Sequence, residues 1–90
     1  MLKIVSSNRF KKDLKLAIKR GYNIGLLEEV VNKIADGREL EPKYKDHELS
    51  GDFKGLRECH ITPDWLLIYQ VIEDEVILYL FRTGTHSDLF

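Results

Sequence analysis

Cysteine occurs once, at Cys59, so no internal disulfide can hold this fold together, and a reducing cytoplasm is the expected setting. Long apolar runs are missing too. The longest, Trp65 to Tyr69 and Val76 to Phe81, are strand-sized and far short of a bilayer span, which leaves no membrane role. The start, Met1-Leu2-Lys3-Ile4-Val5, has no apolar signal core followed by small residues, so no export address is expected. There is no Gly-rich phosphate loop, no Cys-x-x-Cys pair and no Ser/His/Asp order, which removes the common nucleotide, redox and serine-nucleophile readings. Internal repeats, low-complexity tracts and linkers are absent as well, and 90 residues suffice for one modest core, so residues 1–90 read as a single domain.

What is present is a globular composition, 43% hydrophobic and 32% charged, with its charge unevenly placed. The net charge of −1 hides a segregation. Residues 1–20 hold Lys3, Arg9, Lys11, Lys12, Lys15, Lys19 and Arg20 against Asp13 alone, a strongly basic segment balanced by an acidic remainder. Such asymmetry marks either a polyanion-binding face or a solvated helix surface.

Periodicity predicts an α+β fold. Residues 2–5 form a short apolar run closed by Ser6-Ser7, a first strand followed by a helix cap. Phe10, Leu14, Ala17 and Ile18 then repeat on one helical face, with Lys11, Lys12, Lys15 and Lys19 mostly off it, until Gly21. A second helix is expected from Asn23, with Leu27, Val30, Val31 and Ile34 as its buried stripe and Gly37 as its stop. So short a connection predicts an antiparallel helical hairpin. Residues 38–54 keep no period and read as a long loop, the kind of segment that contributes to sites. Strand signals return at 56–61, 65–72 and 76–81, joined by Thr62-Pro63-Asp64 and Glu73-Asp74-Glu75, so one antiparallel sheet with the hairpin on one face is expected.

Against this frame the three histidines stand out, since each lies beside turn or loop residues: His47, His60 and His86. Imidazole takes and gives a proton near neutrality, so three brought together suit acid–base chemistry. The topology predicts that the hairpin brings His60 near Asp64, that Gly84 turns His86 back over the same surface, and that the loop carrying His47 closes the site. Three histidines also make a catalytic zinc shell, but intervals of 13 and 26 residues supply no short ligand pair, and surface histidines without a joint role are the blander reading. Trp65 is by default a core residue and otherwise a platform for an RNA base; Phe90 is unexplained by packing unless its segment folds back; Arg57 and Arg82 are strand-edge charges or ligands of a scissile phosphate.

Three separated blocks, Tyr44-Lys45-Asp46-His47, Arg57 through Tyr69 (Arg-Glu-Cys-His-Ile-Thr-Pro-Asp-Trp-Leu-Leu-Ile-Tyr), and Arg82 through Phe90 (Arg-Thr-Gly-Thr-His-Ser-Asp-Leu-Phe), resemble the YafQ branch of the RelE superfamily of bacterial toxins. The resemblance implies a RelE-like fold and an endoribonuclease (mRNA interferase) of a type II toxin–antitoxin pair that cuts messages in the ribosomal A site. By position it implies His47, His60, Asp64 and His86 as catalytic residues, and Trp65 and Phe90 as substrate contacts; Arg57 and Arg82 join the substrate contacts on their charge alone. Lys11, Lys12, Lys15 and Lys19 are the expected ribosome- and RNA-binding face. The expected mechanism uses no cofactor or metal. The implied partners are the ribosome, mRNA and a cognate DinJ- or RelB-like antitoxin, with a monomeric free toxin and a hetero-oligomeric complex. Glu58 stands where an aspartate can occur in the family. The rival reading is a non-catalytic module that binds RNA or a regulatory partner.

Overall fold

The computed structural model describes residues 1–90. The chain runs through β1 (Lys3–Ser6), α1 (Asn8–Lys19), α2 (Ile24–Ala35), β2 (His47–Glu48), β3 (Arg57–Thr62), β4 (Trp65–Ile72), β5 (Ile77–Gly84) and α3 (His86–Leu89). Each long helix starts at the cap its sequence offers. Ser7 Oγ accepts the Phe10 N–H at 2.9 Å, and Asn23 Oδ1 accepts the Gly25 N–H at 3.0 Å, each satisfying a donor that the first turn leaves unpaired. Both helices end at a glycine with positive φ, Gly21 and Gly37.

The sheet order is β1-β5-β4-β3-β2, and four of its strands pair antiparallel as expected. The first does not. β1 lies parallel to β5, Lys3 opposite Ile77 and Ser6 opposite Leu80, so the sheet is mixed rather than wholly antiparallel. The helical hairpin returns the chain to the far edge of the sheet, and the meander then brings β5 back beside β1 running in the same direction. β5 also runs beyond the expected Phe81 to Gly84, because Arg82, Thr83 and Gly84 keep pairing with Ile68, Leu67 and Leu66 past a bulge. The irregular segment 38–54 holds two short 3₁₀ turns and β2, which pairs His47 with Glu58.

Both helices cover one sheet face, α1 against β5 and α2 against β3. The expected α2 stripe of Leu27, Val30, Val31 and Ile34 is buried, together with Ala35. On α1, Phe10 and Ala17 are buried and Leu14 packs against the core, but Ile18 is 57% exposed. At about 100° per residue Ile18 falls some 80° from Phe10. The flank that turns inward instead carries Asp13. Cys59, Ile61, Trp65, Leu67, Tyr69, Leu78 and Leu80 meet the helices, while alternation sends Glu58, His60, Leu66 and Ile68 to the opposite face.

Candidate active site

The second face of β3 brings two of the three histidines together. Glu58 and His60 are two residues apart on one strand and therefore share a face, and β2 sets His47 directly opposite Glu58. One carboxylate oxygen, Glu58 Oε1, lies 3.6 Å from Nε2 of His47 and 3.6 Å from Nε2 of His60. The other ring nitrogens face backbone carbonyls. His47 Nδ1 is 2.7 Å from the Lys45 carbonyl, and His60 Nδ1 is 3.4 Å from that of Pro63. A carbonyl only accepts, so these contacts suit the Nδ1–H form of each ring, with Nε2 turned toward Glu58. The Glu58 side chain is 8% exposed against 50% for His47 and 24% for His60, so a buried carboxylate lies behind two solvent-reachable imidazoles.

The loop bearing His47 is pinned from the other side of the sheet. Asp46 accepts from Arg57 Nη2 at 3.0 Å and from the Tyr69 hydroxyl, and this bond raises the Arg57 pKa while burial, then Asp46, pushes the Tyr69 phenol up. Arg57 pairs with Tyr69 across the ladder, on the face away from Glu58 and His60, and its guanidinium holds the loop through Asp46.

His86 opens α3, two residues beyond Gly84, which closes the ladder row His60, Leu66, Gly84. Its ring lies tilted against Phe90 with centroids 5.0 Å apart, and Phe90 meets Phe53 edge-on at 5.5 Å. Phe90 is therefore folded back into an aromatic cluster, half exposed, beside the C-terminal histidine.

Two expected members are elsewhere. No hydrogen bond joins His60 to Asp64; the turn aims Asp64 into a neighbouring groove with Tyr22, Asn23 and Trp65, and Glu58 occupies the place beside the imidazoles. Trp65 is 3% exposed, tilted against Tyr22 at 5.0 Å, with its indole N–H donated to Thr83 Oγ1 at 2.8 Å, so its ring belongs to the core and offers no platform for a base. Arg82 is clasped by Asp13 through two hydrogen bonds of 2.8 and 2.9 Å. Lys11, Lys12, Lys15 and Lys19 are all exposed on the outer face of α1. No group of three His, Cys, Asp or Glu side chains is arranged to hold a metal ion.

The family model for YafQ, a bacterial toxin of type II toxin–antitoxin systems, matches residues 2–90. The chain belongs to the YafQ family. The mRNA interferase toxin YafQ of Escherichia coli K12 is 40% identical over 85 residues, covering 93% of this chain and 90% of that protein. Among solved structures, a metal-bound toxin from Helicobacter pylori superposes with a TM-score of 0.95 at 50% identity, covering both chains fully. YafQ in the E. coli DinJ–YafQ toxin–antitoxin complex does so at 0.89 and 38% identity, over 100% of this chain and 99% of that one. Against this family background, the residue that sequence reasoning undervalued is Glu58. Its signal was the Glu-x-His spacing on a strand, which alone places carboxylate and imidazole side by side.

Proposed function

We propose that the chain is an endoribonuclease that cuts ribosome-bound mRNA by acid–base catalysis, and that a cognate antitoxin silences it. The observation that carries this reading is the single Glu58 oxygen held 3.6 Å from the Nε2 atoms of both His47 and His60. One of these imidazoles takes the proton of a ribose 2′-OH; the freed oxygen attacks the adjacent phosphorus, and the bond to the 5′-oxygen breaks. An acid protonates that leaving oxygen, giving a 2′,3′-cyclic phosphate and a 5′-hydroxyl. His86 is the acid in this scheme, Glu58 orients the imidazoles and balances their charge, and the second of the pair contacts the phosphate. Phe90 offers a face to a neighbouring base, a contact worth about 1–3 kcal/mol. In this reading Asp64, which lines the neighbouring groove, serves a flanking nucleotide rather than His60. The exposed lysines of α1 dock on ribosomal RNA backbone.

Two similar toxin structures from Helicobacter pylori are metal-bound, one of them a copper-bound mutant; here no three His, Cys, Asp or Glu side chains are arranged as a ligand set, and the scheme is written with side chains alone. The antitoxin is taken to be DinJ-like, with an acidic segment that folds over the cationic surface on binding. The test is to induce the chain with and without its neighbouring antitoxin gene and map mRNA 5′ ends, then repeat cleavage with purified ribosomes in excess EDTA. New 5′-hydroxyl ends that survive chelation and vanish with the antitoxin are expected. Growth arrest without any cleavage would favour a non-catalytic RNA-binding module, and loss of cleavage on chelation would make the histidines ligands.

A further inference from the structure

α1 and its C-cap carry two opposite charges, Asp13 and Arg20, spaced seven residues apart and so on one flank. Each meets its opposite on the segment that leads into the site. Asp13 accepts from Arg82 Nε and Nη2 and also from the Thr83 N–H at 3.2 Å. Arg20 donates to both carboxylate oxygens of Asp88, at 2.7 and 3.2 Å. The four charges line one cleft of about 140 Å³ between α1 and the end of β5.

Asp88 does a second task. Its Oδ2 accepts the Thr85 N–H at 2.9 Å while its own N–H donates to Thr85 Oγ1 at 3.2 Å, which closes a capping box on α3. Gly84 leaves room for it, since a Cβ there would stand 3.0 Å from Asp88 Cβ and Oδ2. α3 is a single turn of four residues, too short to hold its own geometry in water. Its direction, and with it that of His86, is set from outside.

We infer that Arg20 is a positioning residue for His86, holding the α3 turn through Asp88 so that the imidazole faces the cleavage site. The inference rests on the reading of His86 as the acid, and it treats Arg20 as a residue that never touches RNA. The Arg20 guanidinium, followed by the Thr85 backbone, keeps the Asp88 carboxyl well below the usual range, so the clamp stays charged throughout the neutral range.

The test compares Arg20→Ala, Arg20→Lys, His86→Ala and the Arg20→Ala/His86→Ala double variant for kcat and KM on ribosome-bound message, with proton NMR of the free proteins. Arg20→Ala should lower kcat on the order of 10- to 100-fold at unchanged KM, because a small misplacement of an acid is costly. Arg20→Lys should recover most of that rate, and in the His86→Ala background Arg20→Ala should cost nothing more. NMR should show loss of the contacts between the His86 and Phe90 rings in Arg20→Ala. Retention of those contacts, a rise in KM with a reduced salt dependence, or a further loss in the double variant would overturn the inference. A fully active His86→Ala would instead remove the acid assignment, leaving the ring contacts to decide whether Arg20 orders the turn.

Discussion

Replacing Trp65 by Phe separates a core residue from a substrate platform. The indole N–H is donated at 2.8 Å to Thr83 Oγ1, whose own hydroxyl is donated to the Leu66 carbonyl at 2.7 Å, and Thr83 is 2% exposed. Phe removes the donor and leaves a buried acceptor without a partner, which costs about 1–3 kcal/mol. The smaller ring also opens a void beside Tyr22, which at roughly 24 cal/mol per Å³ adds on the order of 1 kcal/mol. The total, about 2–4 kcal/mol, is a large share of the 5–15 kcal/mol that a domain of this kind holds, and corresponds to a fall in Tm on the order of 10–30 °C. Trp65 is the only tryptophan, so unfolding must be followed by circular dichroism rather than by its fluorescence. Cleavage of ribosome-bound message, assayed well below the new Tm, should stay within a few-fold of the parent. A variant with unchanged Tm and abolished cleavage would refute the reasoning and return Trp65 to the RNA.

Glu58→Gln keeps the shape and removes the charge between His47 and His60; it should lower cleavage by roughly 10²-fold, and undiminished cutting would detach the carboxylate from the chemistry. Charge reversal at Lys11, Lys12 and Lys15 should weaken ribosome association and flatten its salt dependence together, since phosphate contacts release counterions; an unaltered slope would make α1 a solvated face. Because Arg20 depresses the Asp88 pKa, the pair stabilises the fold above the unfolded carboxylate value of about 4, and that contribution is lost as pH falls through the lower folded value. Asp88→Asn should therefore be less stable at neutral pH yet decline less steeply on acidification in urea titrations, and parallel declines would show that the pair contributes nothing.

Local pattern carried most of the fold. The α2 stripe and the β3–β4–β5 meander were legible because apolar spacing and turn residues specify them without reference to distant chain. The partner of β1 was not, since a lone four-residue run says nothing about which edge will receive it. Ile18 was misplaced because α1 turns the flank of Asp13 inward, where it meets Arg82, a contact between residues far apart in sequence. Residue type singles out His47 and His60, which the sheet brings to one carboxylate; Asp64 is expected beside His60 from the hairpin and the resemblance, whereas strand parity places Glu58 there. Parity also separates Arg57 from His60, three positions along one strand and so on opposite faces. Trp65 reads by default as core, which its burial matches, while the resemblance points to a substrate contact.

The parallel pairing of β1 with β5 has a consequence for the order of events on the ribosome that makes this chain. Ser7, which caps α1, donates its hydroxyl to the Phe81 carbonyl at 2.7 Å across 74 positions of sequence. At synthesis rates of about 5–20 residues per second, the strand and the basic helix emerge roughly 4–15 s before the partner that seats them. In that interval β1 has no neighbour, Asp13 and Arg20 have nothing to grip, and His86 has not been made. The fold is therefore completed in one late step, when the first strand and the last close together.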